Sequence, residues 1–113
     1  MRRAGRVDAN HADIVAALRF FGASVVPTGG VGDGFPDLLV GYFGETYLIE
    51  IKDGSKSPAE RRLTPAQEKW HREWKGDPVF VAKSAAEAVA YVFGFVSYEG
   101  EPWKKGGASD GKE

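Results

Sequence analysis

The sequence predicts an α/β fold: helix, three strands, helix, strand, helix, around a mixed central sheet. Three observations predict it. Ile14, Val15, Leu18 and Phe21 recur at the spacing of one helical face. Two apolar runs rich in strand formers, Pro36–Tyr42 and Tyr47–Lys52, flank the short turn Phe43-Gly44-Glu45-Thr46. Thr64-Pro65-Ala66-Gln67 and Ser84-Ala85-Ala86-Glu87 both read as helix starts, with the apolar run Val79-Phe80-Val81-Ala82 between them.

The first helix runs to about Phe21, with Asp8 or Asn10 as its cap and Gly22 as its stop. Ala23–Pro27 is a short strand. Thr28–Gly34 carries four glycines but no following G-K-[ST], so it reads as a mobile, substrate-contacting loop and not as a phosphate cradle. If the hairpin centres on Gly44-Glu45, Leu39 faces Glu50 and Asp37 faces Lys52. Asp53–Leu63 is a polar connection. The next helix has Thr64 as cap, Pro65 at its first position and Gln67 at the capping-box position. Trp70 and Trp74, four apart, are expected in the core, and His71 at the surface. The last helix reaches about Phe93. Phe93, Phe95, Tyr98 and Trp103 exceed what one small core needs; they suit either a self-complementary dimer patch or the end of the sheet within one subunit. Residues 1–103 form one domain, and 104–113 a disordered tail.

Length and composition bound the function. A chain of 113 residues, 42% hydrophobic and 12% aromatic, makes one domain with a core. The absence of cysteine excludes disulfides, thiolate zinc sites and cysteine nucleophiles. No segment reaches membrane-spanning length, and basic Met1–Arg6 lacks a following apolar stretch, so a cytoplasmic protein is expected. A net charge of −1 argues against coating nucleic acid by bulk charge. Basic residues cluster nonetheless, at Arg2, Arg3 and Arg6 and from Lys52 to Lys75. Lys56, Arg61, Arg62, Lys69 and Arg72 are candidate phosphate contacts; an ordinary solvated face is the plain alternative.

Three charged residues interrupt the apolar runs: Asp37, Glu50 and Lys52. A buried carboxylate is costly unless it is paired or binds a cation. Residues opposite one another, or two apart on one strand, share a sheet face, so all three converge there. Asp37 and Glu50 become diagonal neighbours, roughly 7–8 Å apart at the backbone. Two such carboxylates can share a hard divalent ion, with the Ile51 carbonyl as a further oxygen.

This constellation resembles the PD-(D/E)XK nuclease superfamily. Pro36-Asp37 matches the first half of its signature and Glu50-Ile51-Lys52 the second. Gly34-Phe35-Pro36-Asp37-Leu38-Leu39, Leu48–Gly54 and Leu63–Gln67 look most like the stand-alone VRR-NUC branch common in phage and prophage sequences. The resemblance spans about Asp8 to Tyr91. It implies a restriction-endonuclease-like core and a metal-dependent endodeoxyribonuclease using Mg²⁺ or Mn²⁺. Asp37, Glu50 and the Ile51 carbonyl would hold the metal, and Lys52 would act on the developing charge. It makes Gln67 an active-site residue, a role that competes with capping. It puts Asp13 where the family often carries a third acid, with His11 and Asn10 as alternatives. Asp13 equally suits a surface acid near a helix N-terminus. The implied substrate is branched DNA such as a Holliday junction, cut by a homodimer. A flap, another DNA or RNA substrate, or a non-catalytic nucleic-acid-binding role on the same scaffold, are the alternatives.

Overall fold

The computed structural model describes residues 9–95 and 99–106. Helix α1 (His11–Phe20) buries Ile14, Val15, Ala17 and Leu18. It ends where Gly22 takes a φ of +109°, a left-handed turn that suits glycine. There the N–H groups of Gly22 and Ala23 donate to the carbonyls of Arg19 and Leu18. Its N-terminus departs from expectation: Asn10 stands at the cap but makes no side-chain capping bond. Its amide donates instead to the carbonyls of Lys52 and Lys83, at 3.1 and 3.0 Å. These carbonyls end two neighbouring strands and need donors, and supplying them pins α1 to the sheet.

Strands β1 (Ser24–Pro27), β2 (Leu38–Tyr42) and β3 (Glu45–Ile51) form an antiparallel meander. Strand β4 (Phe80–Ala82) lies parallel to β3, giving a mixed sheet of order β1-β2-β3-β4. The hairpin turns one residue earlier than the sequence suggests. Tyr42 pairs with Glu45, leaving a two-residue loop of Phe43 and Gly44, at φ +53° and +83°. Two left-handed residues are what a type I′ turn requires, although Asn-Gly is the usual sequence. The register therefore moves by two residues: Leu39 faces Leu48, not Glu50. An even shift preserves which side chains share a face, whereas a shift of one would have reversed them.

One face of the sheet is closed by α1 and by α3 (Ala85–Phe93). Leu38, Val40, Ile49 and Ile51 meet Ile14, Leu18, Ala88 and Val89 there, all at 0–1% exposure. Burying each large aliphatic side chain is worth about 1.5–3 kcal/mol. Helix α3 starts at Ser84, whose hydroxyl accepts from the Glu87 N–H, and stops at Gly94 at φ +81°. The Glu87 carboxylate reaches back to the N–H of Lys83, one residue beyond the expected capping box.

Helix α2 (Pro65–Glu73) lies on the opposite face and contains no buried residue. Trp70 and Trp74 are therefore not core. Trp70 is half-buried and Trp74 is 43% exposed. They stack on each other with centroids 4.8 Å apart, and Trp70 meets the edge of Phe35 at 5.0 Å. The apolar core is on the far side of the sheet, out of their reach.

The C-terminal aromatics are used within the subunit. Phe93, Phe95 and Trp103 all pack on Phe21, and Trp103 is 7% exposed. They end the sheet, so they do not by themselves call for a dimer. Pro102–Gly106 forms a short helix, α4, so Lys104 to Gly106 are not part of a structureless tail. Tyr98, the arginines at 2, 3 and 6, and 107–113 lie outside the described residues. Among the described residues no helix is long and apolar enough to cross a membrane.

Candidate functional site

The site forms where β2 begins and β3 ends. The last pair of that ladder is Leu38 with Ile49; Asp37 directly precedes the one and Glu50 directly follows the other. Asp37 completes the ladder with its side chain: Oδ2 accepts from the Ile51 N–H at 2.7 Å. Thr28 fastens the entry to this strand. Its N–H donates to the Asp37 carbonyl at 2.8 Å and its hydroxyl to the Pro36 carbonyl at 2.7 Å. The glycine-rich loop is thus tied at its base.

Glu50 is 1% exposed, the one buried charged residue in a described core that is otherwise apolar. Its Oε2 accepts from Nε2 of Gln67 at 2.9 Å. The same amide turns its oxygen to Lys52, whose Nζ donates to Oε1 at 3.0 Å. That oxygen also accepts from the Thr64 N–H at 2.9 Å, and the Gln67 N–H donates to the Thr64 hydroxyl at 3.2 Å. Capping therefore does not exclude contact with Glu50 and Lys52. An amide oxygen has two lone pairs and its nitrogen two protons, enough to complete the capping box and join lysine to glutamate.

Sequence reasoning missed His71. It is not at the surface: its side chain is 14% exposed, with Nε2 3.6 Å from Oε1 of Glu50. Burial pushes its pKa below the ordinary imidazole value, the Lys52 ammonium adds to this, and Asp37 opposes it. The shift is toward the neutral imidazole. The signal was its spacing: residues four apart on a helix share a face, so a site residue at Gln67 brings His71 with it.

Gly34 sets α2 in place. It has a φ of +85°, and a Cβ there would lie 2.2 Å from the Ala66 carbonyl oxygen. Only glycine lets the loop lie against the first turn of α2, which carries Gln67.

Other candidate residues lie elsewhere. Asp13 accepts from the Trp103 indole N–H at 2.7 Å and lies 3.7 Å from Lys104 Nζ. Among the described residues no three or more His, Asp or Glu side chains gather as a metal site, so neither Asp13 nor His11 joins Asp37 and Glu50. A surface acid with a local indole partner is the role Asp13 fills. Asn10 is committed to the two strand-end carbonyls. The Ile51 side chain is in the core. Lys56, Arg62, Lys69 and Arg72 are exposed, while Arg61 is half-buried with Nε on the Lys56 carbonyl at 3.0 Å. A cleft of about 680 Å³ at the starts of α1 and α3, bordered by Asp13, Asp53 and Glu87, includes neither Asp37 nor Glu50.

Fold and site together define an α/β protein with a mixed four-stranded sheet, one face of which carries a carboxylate–amide–lysine chain. Compared with family models, curated proteins and solved structures, the sequence finds no match in any of the three.

Proposed function

We propose that this chain is a metal-dependent nuclease of the PD-(D/E)XK type, hydrolysing phosphodiester bonds in DNA. One observation carries the reading: Asp37 accepts from the Ile51 N–H, next to Glu50, and Gln67 links Glu50 to Lys52. A hard cation fits these donors. Both carboxylates offer oxygen, the Ile51 carbonyl is adjacent, and Mg²⁺ is commonly held by one or two carboxylates with water and substrate supplying the rest. Bound there, Mg²⁺ or Mn²⁺ would polarise the scissile phosphate and lower the pKa of a water.

The chain's own groups do the rest. Lys52 sets a positive charge beside the phosphate, where negative charge develops as the attacking oxygen closes in. Gln67 fixes the lysine and Glu50 relative to each other, so neither must be reoriented during reaction. His71 packs against Glu50 with Nε2 3.6 Å from Oε1. Lys56, Arg61, Arg62, Lys69 and Arg72 supply phosphate contacts that position the strand without reading its sequence. Branched DNA as substrate, a homodimer as the acting unit and a phage or prophage origin complete the proposal on the resemblance alone; light scattering measures the assembly.

The test is a cleavage panel of four-way junction, flap, duplex, single-stranded DNA and RNA in Mg²⁺, Mn²⁺ and EDTA. Cleavage is expected only with metal, and lost in Asp37→Asn and Glu50→Gln. Full turnover in EDTA, or by either variant, overturns the reading. DNA bound but uncut under every metal condition assigns the scaffold a binding role instead.

A further inference from the structure

The imidazole of His71 has a buried atom that the hydrogen bonds around Gln67 do not use. Nε2 is shut off from solvent and has no hydrogen-bond partner. It faces Oε1 of Glu50 at 3.6 Å, beyond the roughly 2.7–3.2 Å of an N–H···O bond. Buried polar atoms are nearly always satisfied, so a nitrogen left over beside a buried carboxylate points to a partner that is not a side chain.

His71 is held in this position. It follows Gln67 by four residues on α2, and the capping box at Thr64 fixes the start of that helix. Gln67 Nε2 holds the other oxygen of Glu50, Oε2, at 2.9 Å. Oε1 and Nε2 are thus presented to each other by two anchored side chains. The His71 side chain is 14% exposed, so one edge of the ring reaches solvent. The Lys52 ammonium is bound at the oxygen end of the Gln67 amide, at 3.0 Å, and Glu50 at the nitrogen end, so the amide stands between lysine and carboxylate.

Spacing and chemistry identify the partner. Two donors of one cation, each about 2.1 Å from it, lie roughly 3.0 Å apart at an octahedral angle and roughly 3.4 Å apart at a tetrahedral one. The observed 3.6 Å is close to that span. Among the described residues no cluster of three His, Asp or Glu ligands is assembled. None is needed where water and a phosphate complete the shell. A nitrogen donor also selects the ion. Mg²⁺ takes oxygen ligands, whereas imidazole is an ordinary ligand of first-row transition ions.

We propose that His71 is a direct ligand, through Nε2, of the divalent ion at Glu50, and that it makes the site one for Mn²⁺ in preference to Mg²⁺. This deepens the nuclease reading and rests on it.

The test uses the full chain and the ions alone. Free Mn²⁺ is followed by electron paramagnetic resonance, and Mg²⁺ by competition. Wild type should bind Mn²⁺ about tenfold or more tighter than Mg²⁺. His71→Phe keeps a ring without the nitrogen. It should weaken Mn²⁺ binding by about tenfold or more, the loss typical of damage to a metal site, and Mg²⁺ binding by less than about twofold. ¹⁵N NMR of wild type with one equivalent of Zn²⁺, a diamagnetic stand-in, needs no variant. The Nε2 resonance of His71 should shift, with His11, the other histidine of the chain, as the control. An unmoved Nε2, or equal Mn²⁺ affinity in wild type and His71→Phe, overturns the ligand. Equal affinity of wild type for the two ions overturns the preference. Each of these results leaves metal-dependent cleavage standing. No ion bound by wild type, with no cleavage in Mg²⁺ or Mn²⁺, overturns both readings.

Discussion

The two faces of the sheet are built from alternate residues of the same strands, and on β3 they are equally dry. Ile49, Glu50 and Ile51 are 0%, 1% and 1% exposed. What differs is what compensates the burial. Ile49 and Ile51 are covered by apolar side chains of α1 and α3, where gain follows area. Glu50 is covered by α2, which buries no residue of its own and engages the sheet through Gln67 and His71. A helix attached this way contributes little apolar area but places charges closely. The closed face makes the protein stable, and on the proposed nuclease reading the other face carries the chemistry.

The largest expected effect separates these roles directly. Glu50→Gln removes a charge with little change of volume, so cleavage should be lost while the urea midpoint stays at or above that of wild type. A midpoint that falls steeply would show that the polar face also carries the fold. Next is Lys52→Ala, expected to lower single-turnover cleavage by about 10²–10³ with little change in DNA affinity. If saturating enzyme restores the rate, the lysine serves binding alone. On the closed face, Ile49→Ala should cost about 2–5 kcal/mol in urea unfolding. Leu39→Ala, on the other face at 37% exposure, should cost well under half as much; equal losses would erase the distinction. The smallest effect is Thr64→Ala, about 1 kcal/mol. Hydrogen exchange should localise it to the first turn of α2, and a loss spread over the sheet would contradict the loose attachment of that helix.

The closed face was the more legible one. Its helical stripe in α1 and the apolar, strand-forming runs of β2 and β3 depend on local spacing and composition, which a sequence displays. The convergence of Asp37, Glu50 and Lys52 survived a misplaced turn because the error was an even number of residues. The turn itself was misread because Phe43 occupies a left-handed position that ordinarily selects asparagine or glycine. Around α2 the usual inference reversed. Two tryptophans at helical spacing suggested a core face, yet the helix presents Gln67 and His71 to the sheet. Asn10 was illegible for another reason: its partners are 42 and 73 residues away. α4 was hidden in a polar C-terminal run, where only Trp103 gave a packing signal.

The amide of Gln67 has a direction. Its oxygen takes two donors, the Thr64 N–H and the Lys52 ammonium, while its nitrogen serves the Glu50 carboxylate, so the network leaves it one orientation. Helix initiation and site alignment are therefore read from a single rotamer, and an alanine at this position would confound them. Gln67→Glu would part them: it keeps an oxygen for the helix start and for the lysine, but sets a second anion against Glu50. One atom's identity thus decides whether a well-formed helix end is also an aligned site.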